Sequence, residues 1–310
     1  MGDGYRHNTV AAVLLLLSVA TLSRGAGTRL ERAEELYQRT EYRAALNILL
    51  PLSPKSAAVY ALIGKTYYMD GQYKSSTTYL ERAVAEDSLS SSYYDWLGKA
   101  YGRRAEQSCF LSALAYARRT REFFEKSVVL DEANQEALGD LFEYYLEAPG
   151  VVGGGIEKAE KIAERIRRLN PVEGHYVLAR IAEKRRDAPT AEREYRTAMQ
   201  LAPGDIGRVI DLASFLSTQG RYQESEELFD LAGQRAPESP KLMFARAASY
   251  VRTGRKLPEA RAIIQRYIKT QRTPDDPPRS EVDQLLKHLA SAMFLSPNPL
   301  FGAGIYDRLG

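Results

Sequence analysis

Apolar side chains recur through most of this chain at spacings of three and four residues, the spacing that lines one face of a helix. The periodic stretches come in pairs, each pair broken by turn residues and repeated about every 34 residues. The plainest unit runs from Ile206 to Ser239, with Leu212-Ala213, Leu216, Gly220, Tyr222, Ser225, Phe229, Ala232 and Pro237. Ala57 to Ser90 repeats the frame with Tyr60, Ile63-Gly64, Tyr67, Gly71, Tyr73, Ser76, Leu80 and Ala83. Val172 to Pro203 has Leu178-Ala179, Ala182, Ala191, Tyr195 and Ala198 but no turn glycine. Ala26 to about Pro54 and the stretch from Pro240 onward are degenerate copies. Two further units, about 91–134 and 135–171, carry insertions near 102–114 and 149–155, which brings the count to seven.

Each helix of such a pair buries one stripe against its partner and against the next unit, so stability is shared between neighbours. Small residues such as Gly64, Gly98, Ala179 and Ala213 allow the paired helices to approach closely. Gly71, Gly220 and Gly254 fall where a helix ends and φ turns positive. The order large-small pair, aromatic or aliphatic residue, turn glycine, small-large-small and closing proline resembles the tetratricopeptide repeat family, over roughly residues 26 to 270. The resemblance implies an all-α fold, a right-handed superhelix (α-solenoid) of about seven helix-turn-helix units, whose first helices line a concave groove that holds ligands. A proline-rich linker follows at 271–279. An amphipathic helix over 280–295 is expected to cap the array, with Ser280 as N-cap and Val282, Leu285, Leu286, Leu289 and Met293 on one face. Residues 296–310 read as an extended tail.

The first 25 residues differ in character. Arg6 and His7 precede the apolar run Val10 to Ala20, which is too short to cross a bilayer comfortably, and small residues follow at Ser23, Gly25 and Ala26. This predicts a secretory signal over 1–25, with an uncleaved N-terminal membrane anchor as the alternative and the only membrane contact expected. Cys109 is the sole cysteine, so no intramolecular disulfide forms, which fits export to a bacterial periplasm. The 43 basic against 40 acidic residues give a formal charge of +3, too balanced for a broad nucleic-acid footprint.

Catalytic and metal-binding groupings are hard to assemble. His7, His175 and His288 are the only histidines, and no nucleophile elbow occurs, so neither an enzyme, a metal site nor a cofactor is expected. The glycine-rich loop Pro149 to Gly155 enters a helix at Ile156, where free amides would suit an anion, but no Lys-Ser/Thr follows it. In the third unit both helices are expected to run long, with Cys109, Phe110 and Leu111 near the tip and packed against the neighbouring insertion. Counting the repeat frame places Lys65, Tyr68, Asp95, Lys99, Glu143, Tyr176 and Arg180 in the groove. Lys65, Lys99 and Arg180 occupy the same repeat position, which suggests a basic track interrupted by Glu143, suited to an extended peptide bearing a carboxylate. The expected role is a non-enzymatic protein- or peptide-binding scaffold in an exported compartment. Self-association through the C-terminal helix and tail is one alternative, and anion or phosphate binding by the 149–155 loop is the other.

Overall fold

The computed structural model describes residues 28–295, and all regular structure among them is helical. The expected signal over 1–25 and the tail over 296–310 lie outside the described residues. Seven antiparallel helix pairs follow one another: α1 (28–38) with α2 (Tyr42–Leu49), α3 (Ala57–Met69) with α4 (Tyr73–Glu86), and α5 (Ser91–Glu106) with α6 (Phe110–Leu130). Next come α7 (Gln135–Glu147) with α8 (Ile156–Leu169), α9 (Pro171–Lys184) with α10 (Ala188–Leu201), and α11 (Ile206–Thr218) with α12 (Tyr222–Arg235). The pair α13 (Pro240–Thr253) and α14 (Leu257–Lys269) precedes a last helix, α15 (Arg279–Leu295). The first helix of each pair is called its A helix below, and the second its B helix.

Local chemistry sets these boundaries. Ser56, Ser90, Asn134, Asn170, Asp205 and Ser239 each accept an amide hydrogen bond at the start of an A helix, which supplies an acceptor for a donor the helix leaves unpaired. Pro171 and Pro240 open α9 and α13, where a missing N–H costs nothing. Gly71, Gly220 and Gly254 do take positive φ in the turns. In the first and fifth units, whose turns have no glycine, an ordinary residue adopts the same strained conformation: Thr40 and Arg186, at φ 59° and 61°.

Close approach explains the small residues on the A helices. A Cβ on Gly98 would stand 2.6 Å from ring atoms of Phe124, and one on Gly64 would stand 2.5 Å from Leu80. Ser76 donates to the Gly64 carbonyl at 2.8 Å, and Ser225 makes the same bond to Ala213 at 2.7 Å, so one hydroxyl clasps each of these two pairs. The core is a chain of clusters, each joining adjacent units, as where Phe124, Leu138, Phe142, Ile162 and Val177 meet across units three to five.

Two insertions and the cap take definite form. In the third unit, α5 and α6 lengthen to 16 and 21 residues, past their neighbours of 14 and 13. The expected packing of the tip on the next insertion does not occur: Phe110 and Leu111 are 75% and 77% exposed, because the long helices carry them beyond adjacent units. The 149–155 loop forms a short 3-10 turn, Gly150–Val152, with Val152 buried. At the other end, Val282, Leu285 and Leu289 of α15 are buried against Met243, Tyr250, Ile264 and Tyr267 of unit seven. Ser280 is not the N-cap. The helix already begins at Arg279, after Pro277-Pro278, with the amides of Glu281 and Val282 donating to the Pro278 carbonyl, and Met293 faces outward. None of the described helices is long and apolar enough to cross a membrane.

Candidate ligand groove

The residues expected in the groove all stand on A helices, but the structure gathers them in two clusters. In the first, Trp96 is central. The ammonium groups of Lys65 on α3 and Lys99 on α5 lie 5.0 and 4.8 Å from its ring centroid, and Tyr68 meets the ring edge-on at 5.5 Å. Trp96 was absent from the residues expected here. It is the only tryptophan of the chain and directly follows Asp95, which is the signal that marks it.

Lys99 is enclosed by carboxylates. Its Nζ lies 3.0 Å from Asp95 Oδ2 and 3.0 Å from Asp140 Oδ2, and it donates to Glu136 of α7. Burial works against its charge, but the three carboxylates outweigh burial and raise its pKa. Asp95 shows the opposite side of that balance. Only 1% of its side chain is exposed, neither oxygen has a hydrogen bond of good geometry, and burial with the charge of Asp140 pushes its pKa up to about 8. Acceptor oxygens of Asp95, Glu136 and Asp140 come within 4.8 Å of one another, an arrangement that suits a cation, and the Lys99 ammonium stands among them. Lys65 has no carboxylate in ion-pair reach among the described residues, and burial lowers its pKa.

The second cluster centres on Arg180 of α9. It grips Glu143 of α7 with both Nη atoms, at 2.8 and 3.1 Å, donates to the Tyr176 hydroxyl at 3.1 Å, and lies 3.4 Å from Glu147. Arg208 of α11 covers the other side of Tyr176, 4.4 Å from its centroid, and lies 3.3 Å from Asp211. Burial raises Asp211 to about 6 although Arg208 acts in the opposite direction. Tyr176, Arg180, Asp211, Ser214, Phe215 and Arg252 line a cleft of about 410 Å³ between units five, six and seven.

The expected basic track therefore takes a different form. Every charged residue of α7 is acidic, namely Glu136, Asp140, Glu143 and Glu147, and this ridge neutralises Lys99 on one side and Arg180 and Lys184 on the other. Their pairing holds neighbouring A helices in register. The 149–155 loop also differs from an anion cradle. The amides of Val152, Gly153, Gly154 and Gly155 all donate to carbonyls of Tyr145, Pro149 or Gly150, and a Cβ on Gly154 would overlap the Ala148 carbonyl oxygen.

A third group lies at the groove's edge, beside the turns between A and B helices. Tyr73, the first residue of α4, and Arg103, in the last turn of α5, meet Ser280 and Glu281 at the far end of the chain. The array thus curves far enough for its C-terminal segment to reach units two and three.

Comparison with known proteins agrees with this architecture. The sequence model of the tetratricopeptide repeat family matches residues 210–277. No curated protein matches the chain. Among solved structures, a tetratricopeptide repeat protein from Parabacteroides merdae superposes with a TM-score of 0.59 at 13% identity, covering 86% of this chain and 99% of that one. A thermophilic repeat protein of Thermus thermophilus gives 0.52 at 19% identity, over 62% of this chain and 98% of that one. Human IFIT1, solved as a dimer with PPP-AAAA, gives 0.53 at 16% identity, over 78% of this chain and 54% of that one. At these identities the likeness speaks for the fold, and the fold is shared by proteins with different ligands. With its seven helix pairs and turn glycines, this chain has the fold of a tetratricopeptide-repeat solenoid, and its residues 210–277 match that family's sequence model.

Proposed function

We propose that the chain is a non-enzymatic scaffold, acting after export, that holds a protein or extended peptide against the inner faces of its A helices. Tetratricopeptide repeats serve generally as protein-interaction scaffolds. The observation that carries the reading for this chain is the cross-linked wall: Lys99 joins α5 to α7, Arg180 joins α9 to α7, and Arg208 joins α11 to α9. A wall fixed before binding loses little side-chain entropy when a ligand arrives. Lys65, with no carboxylate in ion-pair reach among the described residues, and the cleft at Tyr176 supply polar and aromatic anchors of the kind that dominate peptide recognition. Export rests on the apolar run of the first 25 residues. The apolar face of α15 is covered within the chain by α13 and α14, which supports the scaffold reading over self-association through that face.

Photo-crosslinkers placed singly at Lys65, Tyr176 and Ser214 test the reading in the native cell, with Arg193 on α10, 64% exposed, as the control on a B helix. The groove positions should share a partner that the control misses, and Lys65→Ala with Arg180→Ala should lower its yield about ten-fold. The same partners from Arg193, or an undiminished yield from the double variant, would overturn it.

A further inference from the structure

Unit three ends on its turn edge in a point. Its helices outrun those of the adjacent units, and between them residues 107–109 turn the chain so that Phe110 and Leu111 lead, both exposed. Val151, in the neighbouring 149–155 loop, is exposed on the same edge. That loop lies against α6, where the Tyr144 hydroxyl stands 2.8 and 2.9 Å from the carbonyls of Ala117 and Val152. Other exposed apolar side chains, such as Leu89, Leu169 and Leu201, stand singly at the opposite edge, as on most protein surfaces. Basic groups stand behind the point. Residues 102–121 hold five arginines and one carboxylate, Glu106, in a chain whose formal charge is +3 overall. Arg103, Arg119 and Arg121 are answered by Glu106, Glu81 and Glu125. Arg104 and Arg118 have no carboxylate in ion-pair reach among the described residues: Arg104 is held by the hydroxyls of Thr77 and Tyr116, and Arg118 is exposed. Arg118 follows Phe110 along α6 by a little over two turns, about 12 Å at the rise of an α-helix.

We propose that the tip of unit three seats the chain on an anionic lipid surface, with Phe110 and Leu111 entering the boundary between headgroups and acyl chains and Arg118 and Arg104 facing lipid phosphates. The spacing fits such a seat. Apolar groups of peripheral proteins settle about 5–10 Å into that boundary, so with the tip inserted Arg118 stands at the level of the phosphates. Shape selects the same occupant. A specific protein interface covers about 800 Å² on each partner, more than two side chains on a point supply, whereas a fluid bilayer closes round a point. Charge selects the lipid, since each arginine near an anionic surface strengthens attachment and salt weakens it. Two apolar side chains hold weakly, so the attachment is reversible. The tip projects past the end of α5, beyond the groove wall, and a chain seated on it keeps its groove open. The inference stands apart from the scaffold reading, because the tip binds lipid whether or not the groove is filled.

Cys109, exposed and the sole cysteine, carries an environment-sensitive nitrobenzoxadiazole label to the tip of the full chain. A control chain carries the label on α10 instead, through Cys109→Ser with Arg193→Cys. On vesicles of phosphatidylglycerol and phosphatidylcholine in equal parts, emission from Cys109 should rise about two-fold or more and shift to the blue, while the α10 label stays unchanged. Phe110→Ser with Leu111→Ser should remove the rise, and because both side chains are exposed the fold does not depend on them. Arg118→Glu, or vesicles of phosphatidylcholine alone, should raise the lipid concentration needed for half the rise about ten-fold. No rise at Cys109, an equal response to both kinds of vesicle, or a rise that survives the loss of Phe110 and Leu111 would sink the proposal. So would equal behaviour of the two labels, which is what attachment through the first 25 residues alone would give. A photo-crosslinker at Leu111 that captures a protein and no lipid in the native cell would assign the tip to a protein partner and overturn it as well. Failure of the groove positions to share a partner leaves these outcomes unaffected, so the two ideas fail separately.

Discussion

Lys99 keeps its charge inside the protein because three carboxylates surround it, and the cost of that arrangement falls on Asp95. An acid whose pKa is raised on folding binds its proton more tightly in the folded state than in the unfolded one. The stabilisation from Asp95 is therefore complete below its ordinary value near 3.8 and drains away as pH climbs toward about 8. Asp211, raised to about 6, adds to the same slope over a narrower range. Asp95→Asn should flatten the loss of urea resistance between pH 5 and 8 and raise stability at pH 8 by about 1 kcal/mol, the scale of one pKa unit. An unchanged pH profile would contradict the assignment. Gly98 is the steric counterpart. Gly98→Ala pushes a methyl into the Phe124 ring and should destabilise by about 1–3 kcal/mol, measured as a lower urea midpoint. Both residues were visible in the sequence through the repeat frame. What the frame did not convey is most of their pairing: it placed Lys99 and Arg180 on the groove wall, but apart from Asp95 beside Lys99 and Glu183 beside Arg180 the carboxylates that answer them sit on α7, as Glu136 and Glu143 do at 37 residues away in the chain.

At the scale of helices, the turns show how a repeat tolerates departures from its own pattern. Unit five lacks the turn glycine, and Arg186 adopts the left-handed conformation in its place, with its side chain exposed. Arg186→Gly relieves that strain, worth about 1–2 kcal/mol for an ordinary residue, and gives part of it back through the freer unfolded chain. A net gain of about 0.5–1 kcal/mol in urea titration is expected, and a loss would show that the arginine does something the structure does not display. Helix identity was legible because caps, glycines and apolar stripes are local signals within a 34-residue frame. The fate of the insertions was less so. Nothing in residues 102–114 breaks a helix, so lengthening could be read, but exposure of Phe110 and Leu111 depends on where adjacent units end. Ser280 misled for a similar reason. It has the chemistry of a cap, yet its hydroxyl is taken up by residues from the other end of the chain.

For the molecule as a whole, the contact between Tyr73 and Ser280, 207 residues apart, follows from accumulated curvature and has no local signal. Each unit's pattern predicts its neighbour and says nothing about units far along the array. This closure gives the array a mechanical character that an open stack lacks. Pulled from its two ends, an unclipped solenoid stretches like a spring from the first increment of force. Here the load falls first on three polar contacts between the first turn of α15 and units two and three, and once these part the helix pairs take up the tension one by one. The protein would thus behave as a ring below a threshold and as a spring above it.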